Sequence, residues 1–95
     1  MGNSLGLIET IGLAGSIAAA DAMLKSANVS LVGNYVRVGS GLITVMVQGE
    51  IGAVRAAVEA GEQAASKLTT IKSIHVIPRP HADLEKVFLD KKGAK

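Results

Sequence analysis

The stretch Val38-Gly39-Ser40-Gly41-Leu42 constrains this chain more than any other. It separates two runs rich in β-branched residues, Val29 to Val38 and Leu42 to Val47. Two strands joined by a short glycine-containing turn make a hairpin. Glycine is placed where φ must be positive or where another group comes very close. A hairpin within one chain does not demand a tip of two glycines around one small hydroxyl. Several copies of the turn meeting around a symmetry axis would demand it, and would leave a hole between them.

The flanking segments alternate between two periods. Leu5 to Glu9 reads as a strand, and Thr10 is placed to cap the helix after it. From Gly12 to Ala27 the period turns helical, with Leu13, Ile17, Ala20 and Leu24 as one apolar stripe. Asp21 and Lys25, four apart, form an exposed pair, and Asn28 ends the helix. Val29 to Val38 is the second strand, bent or bulged at Gly33-Asn34. Leu42 to Gln48 is the third, with Ile43, Val45 and Val47 facing one way. Gly49-Glu50 opens a second helix running to about Leu68. Its inner stripe is Ile51, Val54, Val58, Gly61, Ala65 and Leu68, and Glu59 and Glu62 lie outside it. Ile71 to Ile77 is the fourth strand, stopped by Pro78, and Pro80 opens a short terminal helix through Leu84, Val87 and Phe88. The order βαββαβ predicts an α/β (α+β) fold of ferredoxin-like, split βαβ type, with helices on one sheet face and the other left to water or a partner. One domain spans 1–95, with a core at about 5–88 and a flexible basic tail at 89–95.

Composition narrows the function. The chain has 95 residues, 48% hydrophobic and 19% charged, with one Tyr, one Phe and no Trp. A chain this short buries only about 60–65% of its unfolded surface. Small size, apolar character and abundant Ala and Gly together point to an obligate oligomer. With no cysteine, disulfides, thiolate metal sites and cysteine nucleophiles are excluded. The net charge of +2 comes partly from the tail Lys91-Lys92-Gly93-Ala94-Lys95. Three scattered arginines without stacking aromatics argue against nucleic-acid binding. No apolar run approaches the roughly 20 residues of a membrane helix, and no signal-peptide pattern opens the chain.

Nothing in the chain reads as catalytic machinery. His75 lies among apolar strand residues, as a packed or edge histidine, and no metal-ligand spacing surrounds it or His81. Glu9 reads as a hydrogen-bonding structural carboxylate. Gly39-Ser40-Gly41 lacks the spacing of a nucleophile elbow, and Ser40 has no base nearby in sequence. No catalytic residue, metal or cofactor is expected. Lys25, Asn28, Arg79 and His81 form a polar set in which each residue sits at the end of an element. From the sequence alone they could equally be solvated surface.

Four separate motifs then converge. Leu5-Gly6-Leu7-Ile8-Glu9-Thr10, Asp21 to Val29, Val38-Gly39-Ser40-Gly41-Leu42 and His75-Val76-Ile77-Pro78-Arg79-Pro80-His81 strongly resemble, in order, the hexamer-forming shell proteins of bacterial microcompartments. The resemblance runs from about Leu5 to Phe88. It implies a BMC domain, the ferredoxin-like variant of that family, in a cyclic homohexamer that tiles edge to edge around encapsulated enzymes in the cytoplasm. By that resemblance Gly39, Ser40 and Gly41 line a central pore for small polar metabolites, with Arg37 adding positive potential at one mouth. Lys25 would lie antiparallel to its copy across the edge between hexamers, supported by Asn28, Arg79 and His81. Other shell proteins of the same compartment are the implied partners, without nucleic acid or membrane. The Pro-Arg-Pro-His form leans toward the aldehyde-generating catabolic compartments. Gly33 to Val38 looks one residue longer than the family pattern; a bulge would absorb it, and it bears on the orientation of Arg37. The alternative from another class is a ferredoxin-like regulatory domain binding a small effector.

Overall fold

The computed structural model describes residues 3–32, 36–38 and 41–81, with the backbone alone at 36–38. Five strands and two helices succeed one another: β1 (Ser4–Ile11), α1 (Leu13–Ser26), β2 (Val29–Leu31), β3 (Val36–Val38), β4 (Leu42–Gly49), α2 (Ile51–Ser66) and β5 (Ile71–Ile77). The sheet order is β2-β4-β1-β5, with β3 also paired to β4, and all pairings are antiparallel. β4 therefore lies between β1 and β2, so the β1-α1-β2 unit is split by a strand, as the ferredoxin-like reading requires. The expected terminal helix and basic tail, from residue 82 onward, lie outside the described residues.

Strand alternation decides what each sheet face carries. On β1, Ser4, Gly6, Ile8 and Thr10 turn toward the helices; Val47, Val45 and Ile43 of β4 stand opposite Gly6, Ile8 and Thr10. Ile8, Val45 and Val47 form the main core with Ala19 and Met23 of α1 and Val54, Ala57, Val58 and Ala65 of α2. The helices approach closely because glycines sit at the crossings. A Cβ on Gly61 would stand 2.7 Å from Ile8 Cδ1 and 2.8 Å from Met23 Cγ, so α1, α2 and β1 meet where there is no side chain. Gly6 gives α2 the same access to the sheet: its Cβ would lie 2.7 Å from methyls of Val54 and Val58.

The opposite face is not left wholly to water or a partner. Leu5, Val32 and Met46 bury one another there, with Leu7 and Ile77 alongside. Further along, Glu9 is the structural carboxylate expected of it, accepting hydrogen bonds from Thr44 Oγ1 (3.3 Å) and Ser73 Oγ (3.1 Å) on the strands to either side. His75 is exposed on β5, an edge strand of the sheet.

Three expectations are corrected. Val29 to Val38 is two strands, because the chain has two residues too many for one ladder. Leu31 pairs with Val47 and Val36 with Thr44, so the pairing shifts by two residues between β2 and β3; Gly33-Asn34, the expected place of the bend or bulge, lies outside the described residues. Thr10 does not cap α1: it is buried in β1, its Oγ1 donates to the Gly12 carbonyl (3.3 Å), and the helix starts after Gly12 with no side-chain cap. Leu68 is exposed because α2 ends at Ser66, before the helical stripe could carry Leu68 inward. The other end of α2 is capped by its own sequence, Glu50 Oε1 accepting from the N–H groups of Gly52 (2.9 Å) and Ala53 (3.2 Å).

Candidate functional site

Register places the two groups of residues singled out in the sequence at opposite ends of the sheet. Val29, Gly49 and Ser4 pair in one row across β2, β4 and β1, with Leu5 and Ile77 pairing beside them. Asn28 and the Pro78–His81 segment leave the sheet at that end, and the last turn of α1, carrying Lys25, leads into Asn28. Val38, Leu42 and Ile11 pair at the other end, where the glycine turn closes. Along the eight residues of β1 the ends stand about 24 Å apart at roughly 3.4 Å per residue.

At the turn end, Gly41 has φ +77° and Gly12 has φ +86°. Side chains rarely adopt such backbone, and at both positions a Cβ would meet nothing within 4 Å, so conformation alone calls for glycine. Gly12 N–H donates to the Gly41 carbonyl (2.8 Å). Thr69 Oγ1 donates to the Ile11 carbonyl (2.6 Å), and Ile11 N–H to the Thr70 carbonyl (3.3 Å). The junctions β1–α1, β3–β4 and α2–β5 are thereby tied together around the base of the turn. Arg37 lies in β3 with its backbone opposite Ile43. Gly39, Ser40 and the Arg37 side chain lie outside the described residues.

At the other end, Lys25 extends from the last turn of α1 and its Nζ stands 2.9 Å from Asp21 Oδ2, with the two side chains 75% and 57% exposed. A cation there also complements the carbonyl end of the helix. Asn28 is exposed on the rim of a shallow polar cleft shared with Asn3, Ser30, Gln48 and Glu50. Arg79 and His81 are exposed beyond β5, and Ser4 Oγ holds this segment against the sheet by donating to the Pro78 carbonyl (2.6 Å). Asn28 adjoins the β2 flank and Arg79 the β5 flank, three strand spacings or about 14 Å apart. One protomer gathers the four residues at one end of the sheet but not into one cluster.

The largest surprise is the α1 stripe. Leu13, Ile17 and Leu24 do not face the core, and of the expected stripe only Ala20 packs against it. Ile17 is 57% and Leu24 44% exposed, and the buried residues of α1 are Gly15, Ser16, Ala19 and Met23. The helix turns its small side chains to α2 and the sheet, because only those fit against Gly61 and Ile8. With Leu31, Val32 and Met46, the outward stripe lines an open apolar groove of about 470 Å³. The signal is present in the sequence: α1 is apolar on two sides, which marks a helix with two partners. Among the described residues no group of three or more His, Cys, Asp or Glu could hold a metal ion, and no helix is long and apolar enough to cross a membrane.

Comparison with known proteins gives this geometry a context. The BMC domain family model matches residues 4–80. Over 85 residues the chain is 58% identical to the bacterial microcompartment shell protein PduA of Citrobacter freundii, covering 90% of each. It is 53% identical to the shell protein EutM of Salmonella typhimurium, covering 90% of this chain and 88% of that one. It is 50% identical to the carboxysome shell protein CsoS1 of Prochlorococcus marinus over 86 residues, 90% of this chain and 82% of that one. A solved microcompartment protein from Desulfitobacterium hafniense superposes with a TM-score of 0.80 at 32% identity, over 92% of this chain and 47% of that one. The chain belongs to the BMC-domain family, in its bacterial microcompartment shell type.

Proposed function

We propose that this chain is a non-enzymatic structural subunit of a bacterial microcompartment shell, acting as a homohexamer that tiles into sheets. The relatives named as shell proteins of microcompartments and carboxysomes support the shell role. The observation that carries the ring is the separation of the turn from Lys25, Asn28, Arg79 and His81 at opposite ends of one sheet. In a ring, one end points to the axis and the other to the rim. A closed ring also needs a heterologous contact, in which one flank of each subunit seats on a different flank of the next. The groove beside Ile17 and Leu24 supplies an unfilled apolar flank for that contact.

On this reading six copies of Gly39-Ser40-Gly41 bound a pore that passes small polar metabolites by size and polarity, with Arg37 near one mouth. Lys25, Asn28, Arg79 and His81 make the edge between hexamers. Their separation across the width of one protomer's sheet suits a contact that completes itself only between two molecules. Other shell proteins and the enclosed enzymes are the partners of the finished shell. One domain accounts for the chain. A regulatory domain would instead need a cleft with convergent polar groups, whereas Ser16 and Asp21 are the polar residues in a groove otherwise lined by apolar ones.

Electron microscopy of the purified protein tests the proposal. Sheets, tubes or a hexagonal lattice of six-fold rings are expected. Discrete dimers or trimers at every concentration would overturn it.

A further inference from the structure

The glycine turn is fastened from outside its own hairpin, through a single peptide unit. The carbonyl of Ile11 and the N–H of Gly12 belong to one rigid plane, so they point in opposite directions and turn together. Thr69 Oγ1 donates to that carbonyl (2.6 Å), and that N–H donates to the Gly41 carbonyl (2.8 Å). Glycine accepts either sign of φ about equally, so Gly12 does not itself hold the plane at φ +86°. Its two hydrogen bonds do, and one of them comes from the Thr69 hydroxyl. Thr69 is seated in turn. Gly15 is buried without a side chain, and a Cβ there would collide with Thr69 Cγ2, so the threonine methyl fills the notch that Gly15 leaves. A β-branched side chain is stiff at χ1, so a seated methyl also aims the hydroxyl. The next residue, Thr70, accepts from Ile11 N–H through its carbonyl (3.3 Å). Just beyond, Glu9 pairs with Ser73 and Thr10 with Ile71, which leaves Lys72 as the extra residue of a bulge. A bulge of this kind re-aims the residues beside it.

We infer that Thr69 is a positioning residue for the pore. Its hydroxyl fixes the peptide between Ile11 and Gly12, and through that peptide it fixes Gly41 at the base of the turn. Valine at this position has the same shape without the donor. It leaves the plane held by one bond and able to turn over at Gly12, which releases the Gly41 carbonyl. Thr69 acts on permeation only if the turn lines the pore, so this role rests on that reading.

Thr69→Val, Thr69→Ser and Ser40→Leu, each beside the wild type, test this by amide exchange and by solute entry into sealed shells built only from one variant. Native mass spectra should show intact hexamers for all three. In Thr69→Val the Gly12 amide should exchange with solvent about fivefold faster, the weight of one ordinary hydrogen bond, while the amides of Ile8 and Val45 in the core keep their rates. Thr69→Val shells should admit a polar solute just above the wild-type size limit at least about threefold faster. Thr69→Ser keeps the donor and should return both readings to within about twofold of the wild type. A wild-type Gly12 rate in Thr69→Val would show that the hydroxyl does not hold the peptide, and would overturn the inference whatever the pore does. Equal acceleration at Gly12, Ile8 and Val45 would mark a general loss of stability and overturn it too. Loss of hexamers with Thr69→Val would place Thr69 in the ring contact, with the same result. Unchanged permeation with Thr69→Val defeats the inference alone where Ser40→Leu still slows solutes. Where Ser40→Leu changes nothing either, the pore reading falls, and the role of Thr69 with it.

Discussion

The amide of Gly12 donates to the carbonyl of Gly41 across 2.8 Å, and both glycines hold positive φ. Two residues 29 positions apart are thereby committed to unusual backbone by one hydrogen bond (12 to 41), and that bond fastens the start of α1 to the glycine turn. Gly12, at φ +86° and ψ +156°, lies in a region that is essentially glycine-only. Gly12→Ala should destabilise the protein by about 1–3 kcal/mol. Gly41→Ala should cost about 1–2 kcal/mol through its positive φ. Urea midpoints at fixed protein concentration check both; unchanged midpoints would show that the turn tolerates ordinary residues.

Gly61→Ala sets two effects against each other. Alanine favours the helix interior by about 1 kcal/mol over glycine. Its methyl, however, would press on Ile8 Cδ1, Met23 Cγ and the Ala19 carbonyl at 2.7, 2.8 and 3.2 Å. Overpacking of this kind costs about 1–3 kcal/mol, and a backbone carbonyl cannot swing aside. The net expectation is a loss of roughly 1 kcal/mol, read as a lower thermal midpoint. A gain would mean that α1 moves away from α2 more freely than the core suggests.

Ile17→Asp probes the groove. The side chain is 57% exposed in the protomer, so the fold should change by no more than about 0.5 kcal/mol. A carboxylate buried between subunits without a partner is far costlier. Native mass spectra should move from hexamers to smaller species while circular dichroism stays unchanged. Hexamers persisting at the wild-type concentration would place the ring interface elsewhere.

Lys25→Ala should leave hexamers intact and reduce or abolish sheets. Every edge of a ring repeats the same contact, so a small loss per edge is multiplied through the lattice. Electron micrographs of the variant beside the wild type decide it, and sheets equal in extent would end the edge assignment of Lys25.

Ser40→Leu should narrow the proposed pore and replace its polar ring with an apolar one, slowing polar solutes through shells built only from the variant. Solute equilibration into sealed shells is the measurement. Equal rates would detach Ser40 from permeation.

The features legible in the sequence are those set by neighbours along the chain. The alternation of Ile43, Val45 and Val47 marks the face of β4 that enters the core. Val54, Val58, Gly61 and Ala65 are legible as the inner side of α2 because one side of that helix is plainly polar. Helix α1 is ambiguous because both its small-residue side and its Leu13–Leu24 side satisfy the helical period. Periodicity cannot say which of two apolar sides fits beneath a neighbour. Likewise Thr10 has the chemistry of a cap, but the ladder with Ile43 holds it in β1.

Apart from the division of the second strand into β2 and β3, local chemistry by itself therefore determined the succession of strands and helices, the glycines at Gly12 and Gly41 and the identities of the residues at element ends. Those come from side-chain periods and from glycine's access to positive φ. Only the tertiary structure decided that the turn and Lys25 stand at opposite ends of one sheet, because that depends on strand register between distant segments. It alone decided that Leu13, Ile17 and Leu24 face outward, because a close approach at Gly61 admits the small side of α1 and excludes the large one.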